Sequence, residues 1–452
     1  MCGIAAWLGE QPYTVLYELL LEQQHRGHDA AGIALLKQDR IVATGGPGYV
    51  WKALPAPIGF EDYSVMGLGH VRYSTSGGYE DEYQPVLSSK GLIAVAFNGT
   101  IYNYPEASRE VLGTDKYTWD AKALADILEH YYVEEGSLID AMRRAAPLLR
   151  GAYSLVALSV AGELLVARDP RGIRPLAISL GDNAVAAASE TAALASLGLD
   201  YQELGAGEAL YCLGNPRECY LDRIAPAQQP RPCVFEYIYF LRPDSVFEGV
   251  VAHEARKRMG TLLARIDPVE ADVVVPVPDS GRSAAIGYAA EKGIVLDEAL
   301  YRNRFVGRAF ISAPRVRKER LLRKFSPIPS TVRDKRIIVI DDSIVRGDTA
   351  KHVVALIRES GARKIHFRSA SPPLRYPCFF GIDIPSRSEL IAAKHSVEEV
   401  RELIGADTLL YNSVENLLKA IGKPVCMGCF TSVYPCPIRI EFLEQRFSSG
   451  RR

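Results

Sequence analysis

The sequence predicts an α/β protein of two domains, and three observations predict it. The first part, to about residue 225, reads as short strands bounded by Gly- and Asn-rich turns, with a few helices between. From residue 233 the rhythm becomes buried strand, loop, helix, the pattern of a mainly parallel sheet covered on both faces. The 452 residues also exceed what one hydrophobic core organises. In chain order, "LYELLLEQQ" carries helical spacing, "GLIAVAFNG" is strand-like, and "DAKALADILEHYY" is helical again. "AYSLVALSV" and "GELLVARD" are further strands. The Pro- and Gln-rich stretch "DRIAPAQQPRPC" marks the boundary, giving domains 2–228 and 229–452. Beyond it, "ADVVVPVP" is a buried strand and "GRSAAIGYAAEKG" a helix. "KRIIVIDDSIVRGDTAKHVVALIRESGA" reads as strand, turn and helix, and "KIHFRSASPP" as the next strand. There is no internal repeat and no low-complexity segment.

Composition excludes several classes. With 48% hydrophobic and 24% charged residues, both halves can bury cores. A net charge of −1 argues against a general nucleic-acid or membrane-surface binder. No apolar run approaches the roughly 18 residues of a membrane span, and "GEQP" interrupts the N-terminal apolar stretch, so a cytoplasmic location is expected. In that compartment the eight cysteines are not expected to form disulfides.

The chain opens "MCGIAAWLGE". Loss of the initiator methionine, expected before so small a residue, would give Cys2 a free α-amine beside its thiol. Such an amine can serve as base for its own nucleophile, because its reference pKa of about 7.7–8.0 is close to neutrality. A thiol attacking an amide needs an oxyanion hole, and Asn98-Gly99 in "FNGTIYN" can offer a side-chain amide and a backbone N–H. If the substrate is glutamine, Arg72 in "GHVRYSTSGG" suits its α-carboxylate and Asp120 in "TWDAKAL" its α-ammonium. Taken singly, these are equally a hairpin turn, a surface arginine and a helix cap. Together with "QHRGHDAAGIA", "ARDPRGIRPL" and "ASET", they resemble the glutaminase domain of class II glutamine amidotransferases, within the N-terminal nucleophile hydrolase superfamily. The resemblance implies a four-layer αββα sandwich and attack by Cys2 on the glutamine amide, with Asn98 and Gly99 catalytic and Arg72 and Asp120 binding glutamine. The family usually has Ser-Asp-Thr-Glu where this chain has Trp119-Asp120-Ala121-Lys122.

In the second half, "IIVIDDSIVRGDTA" is an apolar strand ending in two acids, then a turn into a helix. Such a turn offers backbone N–H groups and a helix N-terminus to a phosphate, and the acids suit ribose hydroxyls and Mg²⁺. A response-regulator-like acidic strand end is the alternative. The stretch "NRFVGRAFISAPRVRKERLLRKF" carries eight basic residues against Glu319 alone. It lacks the interleaved aromatics of a nucleic-acid patch and reads as a lid over a pyrophosphate. These segments, with "VPVPDSGRSAAIGYA", resemble type I phosphoribosyltransferases, which bind phosphoribosylpyrophosphate (PRPP). That implies PRPP contacts at Asp341, Asp342, Ser343, Arg346, Gly347, Thr349, Arg304 and Lys324, and Mg²⁺ at Ser280, Asp341 and Asp342. Asp348 replaces the family's usual neutral residue.

Cys426 and Cys429 form a Cys-x-x-Cys pair, and Cys233 and Cys378 stand apart. Four such cysteines can hold Zn²⁺ or a four-iron cluster, and the pair alone can be redox-active. The flanking "PCVFEYIYFLRPDS", "RYPCFFGIDIPS" and "VCMGCFTSVYP" resemble the iron–sulfur branch of the glutamine PRPP amidotransferases. The resemblance implies a structural [4Fe–4S] cluster on those four, with Cys212, Cys219 and Cys436 ordinary. It also implies the first committed step of purine synthesis, in which ammonia passes from Cys2 to C1 of PRPP. A homotetramer inhibited by purine nucleotides is expected on the same ground, without nucleic-acid or membrane partners. The alternatives are another class II amidotransferase or a PRPP-binding regulator without full catalysis.

Overall fold

The computed structural model describes residues 1–58, 64–73, 83–303, 325–384 and 386–449, with side chains to residue 445. The first half is built on two antiparallel sheets. One runs in the order Gln202–Glu203, Ala177–Leu180, Val185–Ala188, Gly3–Leu8, Met66–Arg72, Ala30–Lys37, Arg40–Pro47. The other runs Cys219–Arg223, Glu208–Leu213, Glu163–Arg168, Gly151–Ser159, Ile93–Ile101, Val86–Leu87. Alternation along each strand, with a period of two, sorts the side chains into layers. Ile4, Ala6 and Leu8 meet Ala94, Ala96 and Val156 between the sheets. Ala5 and Trp7 point the other way, onto Leu16, Leu19 and Leu20 of the helix Pro12–Glu22. Val95, Phe97 and Leu155 face Leu124 and Leu128 of Asp120–Glu135 and Met142 of Leu138–Ala145. The result is helix, sheet, sheet, helix, the αββα sandwich that the family resemblance implies.

The second half holds a four-stranded, wholly parallel sheet in the order Val273–Pro276, Arg336–Asp341, Lys364–Ser369, Thr408–Tyr411. Its strands are continuously apolar because both faces are covered. Val274, Ile338 and Ile340 pack on Leu263 of Ala252–Ile266 and on Ala285 and Tyr288 of Arg282–Lys292. Val275, Ile337 and Val339 pack on Val353 and Ile357 of Asp348–Glu359 and on Val400 and Ile404 of Val397–Ile404. An antiparallel ribbon, Leu300–Arg302 with Phe325–Pro327, brackets the basic stretch, most of which lies outside the described residues. A separate apolar core joins the halves, running from Met1, Tyr102 and Ile173 to Phe235, Phe380 and Phe430.

One expectation is corrected. Cys212 and Cys219, read from the sequence as ordinary thiols, are joined by a disulfide. They sit directly opposite each other on the antiparallel pair Glu208–Leu213 and Cys219–Arg223, with Cα atoms 4.1 Å apart. Strand register sets that proximity.

Candidate functional site

Three centres emerge. The first lies where the strand Gly3–Leu8 begins. Cys2 Sγ donates to the Tyr73 carbonyl at 3.6 Å, and its backbone N lies 3.3 Å from Asn98 Oδ1. Asn98 is fully buried in the strand Ile93–Ile101, and its Nδ2 has no hydrogen-bond partner among the described residues. A buried amide that donates to nothing costs about 1–3 kcal/mol, so its retention beside a thiol calls for an acceptor that arrives later. Gly99 has φ +150°, and a Cβ there would lie 1.9 Å from the Ala152 carbonyl, so no other residue fits that strand pairing. The loop carrying Cys378 closes on the same point, since a Cβ on Gly381 would lie 2.9 Å from the Gly99 carbonyl carbon.

Asp120 opens the helix Asp120–Glu135 and accepts from the Ile101 N–H at 3.1 Å, which ties it to the end of the Asn98 strand. Burial pushes its carboxyl up to about 6, while backbone N–H donors and the charge of Arg72 pull the other way. Arg72 ends the strand Met66–Arg72, buried, with its guanidinium 5.7 Å from the Trp119 ring centroid. The departure at Trp119 thus gives Arg72 a cation–π face. Sequence reasoning assigned no role to Arg26. Fully buried, it donates from Nε to the Cys2 carbonyl at 2.8 Å and pairs with Glu190 and Glu236. Its place inside "QHRG" was visible, but its burial was not.

The second centre is the carboxyl end of the parallel strand Arg336–Asp341. Asp341 and Asp342 are both buried, and the Asp342 N–H donates to Asp341 Oδ1 at 2.9 Å. Ser280 and Ser343 hydroxyls donate to the Asp342 carboxylate, bringing the two strand ends together. Burial pushes Asp342 up, against those hydrogen bonds and the charge of Arg256. Gly347 has φ +87°, and a Cβ there would strike Ile391, so the turn into the helix requires glycine. Thr349 lies in the first turn, whose N–H groups lack intrahelical partners. Arg346 is held by Glu389, with Nε at 2.9 Å, and Asp348 is exposed. Arg304 and Lys324 lie outside the described residues.

The third centre is a cavity at the junction of the halves, where Cys233, Cys378, Cys426 and Cys429 share the wall with Ile173 and Phe380. Backbone bonds clamp it. Cys426 N donates to the Pro232 carbonyl at 2.8 Å, and Val234 N donates to the Cys426 carbonyl at 3.2 Å. Phe380 N donates to Cys378 Sγ at 3.4 Å. Burial pushes the Cys233 thiol up to about 11 and those of Cys426 and Cys429 well above their ordinary value. Among the described residues, no group of three or more His, Cys, Asp or Glu is placed to hold a metal ion.

Known proteins carry the same organisation. Residues 59–232 match a family model described as a glutamine amidotransferase domain. The chain is 39% identical to the amidophosphoribosyltransferase of Archaeoglobus fulgidus, over 98% of this chain and 100% of that protein. It is 38% identical to the amidophosphoribosyltransferase of Bacillus subtilis, over 97% and 94%. A solved structure of the B. subtilis glutamine PRPP amidotransferase, complexed with ADP and GMP, superposes with a TM-score of 0.85 at 37% identity, covering 97% of this chain and 98% of that one. With near-complete coverage of both partners, the chain belongs to the amidophosphoribosyltransferase family, the enzymes of the first step of purine biosynthesis.

Proposed function

We propose that Cys2 releases ammonia from glutamine and that the ammonia attacks C1 of PRPP at the Asp341–Asp342 centre. The observation that carries the first half is the partnerless Nδ2 of Asn98, whose Oδ1 lies 3.3 Å from the Cys2 backbone N. With Met1 removed, the α-amine of Cys2 would stand near Asn98 Oδ1. An α-amine has an ordinary pKa of about 7.7–8.0, close enough to neutrality for it to take the thiol proton. The Cys2 sulfur then bonds to the amide carbon, the oxyanion is held by Asn98 Nδ2 and the Gly99 N–H, and the C–N bond breaks with a proton passing to the leaving ammonia. Water cleaves the thioester to give glutamate. Asn98→Ala is expected to lower glutamine-dependent turnover about 10²–10³-fold and to leave synthesis from added ammonia intact. Steady-state assays with each nitrogen source check this.

At the second centre, the Gly347 turn and the following helix N-terminus suit the 5′-phosphate of PRPP, and Thr349 adds a hydroxyl. Asp341, Asp342 and Ser280 would hold Mg²⁺, which when bound supplies positive charge to the pyrophosphate oxygens. Ammonia bonds to C1 as pyrophosphate departs, giving 5-phosphoribosylamine. Arg304 and Lys324, outside the described residues, would supply positive charge to the leaving pyrophosphate. The test is a coupled assay. Glutamine hydrolysis should rise when PRPP and Mg²⁺ are added together, and an unchanged rate with no pyrophosphate released overturns this reading.

Cys233, Cys378, Cys426 and Cys429 would hold a structural [4Fe–4S] cluster. What supports the reading is that Cys233, Cys378, Cys426 and Cys429, from three separate segments, line one cavity and together supply the four thiolates such a cluster takes. Protein purified without air is expected to be brown, with about four irons and four sulfides per chain. Replacing any one of the four cysteines by Ser should lower that content and loosen the C-terminal segment. A stable, colourless protein containing one zinc overturns the cluster. We further propose a cytoplasmic homotetramer inhibited by purine nucleotides, as the ADP and GMP in the B. subtilis structure suggest.

A further inference from the structure

Arg174 lies between the strands Glu163–Arg168 and Ala177–Leu180 of the first half, where its carbonyl accepts from Ser154 and Arg168 and its Nη1 meets Met1 Sδ at 2.7 Å, and its side chain also reaches into the second half. It is fully buried. Its Nε donates to the Phe380 carbonyl at 2.8 Å, and Nη2 donates to the same oxygen. The Phe380 N–H in turn donates to Cys378 Sγ, so Arg174 grips the short turn that presents one of the four cavity cysteines. Nη1 reaches Glu236 Oε1 at 3.4 Å. Glu236 stands three residues after Cys233, is itself fully buried, and accepts on the same oxygen from Arg26 Nη2 at 2.8 Å. Arg26 Nε holds the Cys2 carbonyl at 2.8 Å. An unbroken series of charge-assisted bonds therefore runs from the wall of the cysteine cavity to the nucleophile.

The charge balance gives this series a direction. Arg26 and Arg174 are offset by Glu190 and Glu236, all four buried, before any cysteine ionises. Thiolates holding a cluster would add negative charge to a dry cavity, and the Arg174 guanidinium, bonded to the carbonyl of Phe380 in the cavity wall, is a buried cation at its edge. We propose that Arg174 is a positioning residue that couples the cavity to Cys2, balancing thiolate charge on one side and, through Glu236 and Arg26, fixing the Cys2 carbonyl on the other. The proposal rests on the cluster and Cys2 readings above. Its consequence is that losing negative charge from the cavity releases Arg174 toward Glu236, weakens the hold of Glu236 on Arg26, and slows glutamine hydrolysis at a distance.

Three variants prepared without air test it: Arg174→Met, Arg174→Lys and Glu236→Gln. Each is measured for iron and sulfide content, cluster lifetime in air, glutaminase kcat and KM, and synthesis from ammonia. Arg174→Met should lose the cluster in air several times faster and lower glutaminase kcat by about tenfold with little change in KM, while ammonia-dependent synthesis persists. Arg174→Lys, which keeps the charge but not the fork, should recover most of the cluster lifetime. Glu236→Gln should lower glutaminase kcat with the cluster retained, and it decides the matter if Arg174→Met does not fold. Wild-type kinetics and cluster lifetime in Arg174→Met, or wild-type kcat in Glu236→Gln, overturn the coupling. So does a Lys variant no better than Met, which would mark Arg174 as a simple interface bolt. An iron-free wild-type protein defeats the cluster reading and the charge-balancing half with it, and the Glu236→Gln kinetics then decide the remaining link to Cys2.

Discussion

Cys2→Ser is expected to abolish glutamine-dependent synthesis and to leave synthesis from concentrated ammonia near the wild-type level. The thiol is the atom that bonds to the amide carbon, and a serine hydroxyl with only an α-amine as base is a far weaker nucleophile. The loss should be on the order of 10³-fold or more in kcat. Folding should survive, because Ser is nearly isosteric and its hydroxyl can still donate to the Tyr73 carbonyl, while the other contacts of Cys2, its N with Asn98 and its carbonyl with Arg26, use its backbone atoms. The second activity should survive because the acidic pair lies on a different sheet, at the end of Arg336–Asp341. Parallel assays with glutamine and with ammonium salts read this directly. Loss of both activities, or a surviving glutaminase, would show that the nucleophile lies elsewhere.

Asp341→Asn and Asp342→Asn carry the second large effect, and here both nitrogen sources should fail. Each carboxylate would lose charge-assisted bonds to ribose hydroxyls or Mg²⁺ worth about 1.5–3 kcal/mol apiece, so turnover should fall at least about tenfold per bond lost. Stability separates this from simple misfolding. Burial raises the Asp342 carboxyl above its unfolded value, so ionising it near neutrality opposes folding, and that penalty disappears as pH falls through the raised pKa. A neutral amide removes the penalty at pH 7. Asp342→Asn should therefore raise rather than lower the Tm of the metal-free protein while ending catalysis. Near-normal turnover with either nitrogen source would refute the assignment of the acidic pair.

What the sequence made legible is local. Strand runs such as "GLIAVAFNG" and "IIVIDD" carry their own hydrophobic pattern, and Asn98-Gly99, Asp120 and Asp341-Asp342 sit at the ends or turns of such runs. Function at those places follows from neighbours in sequence. The Arg26–Glu236 pair spans 210 residues and the Arg174–Glu236 pair 62, and no spacing rule connects residues brought together only by the packing of one half on the other. In the sequence Trp119 is only a departure from the family's usual serine, whereas in three dimensions its ring lies under Arg72. The Cys212–Cys219 bond was missed for another reason. Arguments from compartment speak about averages, whereas cross-strand register places two particular sulfurs face to face.

The contact between Gly99 and Gly381 bears on how such proteins can be recombined. Here the two halves meet backbone against backbone, with no side chain between to be trimmed or repacked. At that point the interface has no adjustable layer, unlike the side-chain core that joins the halves elsewhere. A chimera joining this glutaminase half to a foreign synthase half would have to supply a glycine at the Gly381 position and the same approach of the chain, or else push the Gly99 strand away from Cys2. The halves are therefore inherited as a matched pair rather than as interchangeable parts, and a graft that respects only the linker near residue 228 should produce a folded but silent glutaminase.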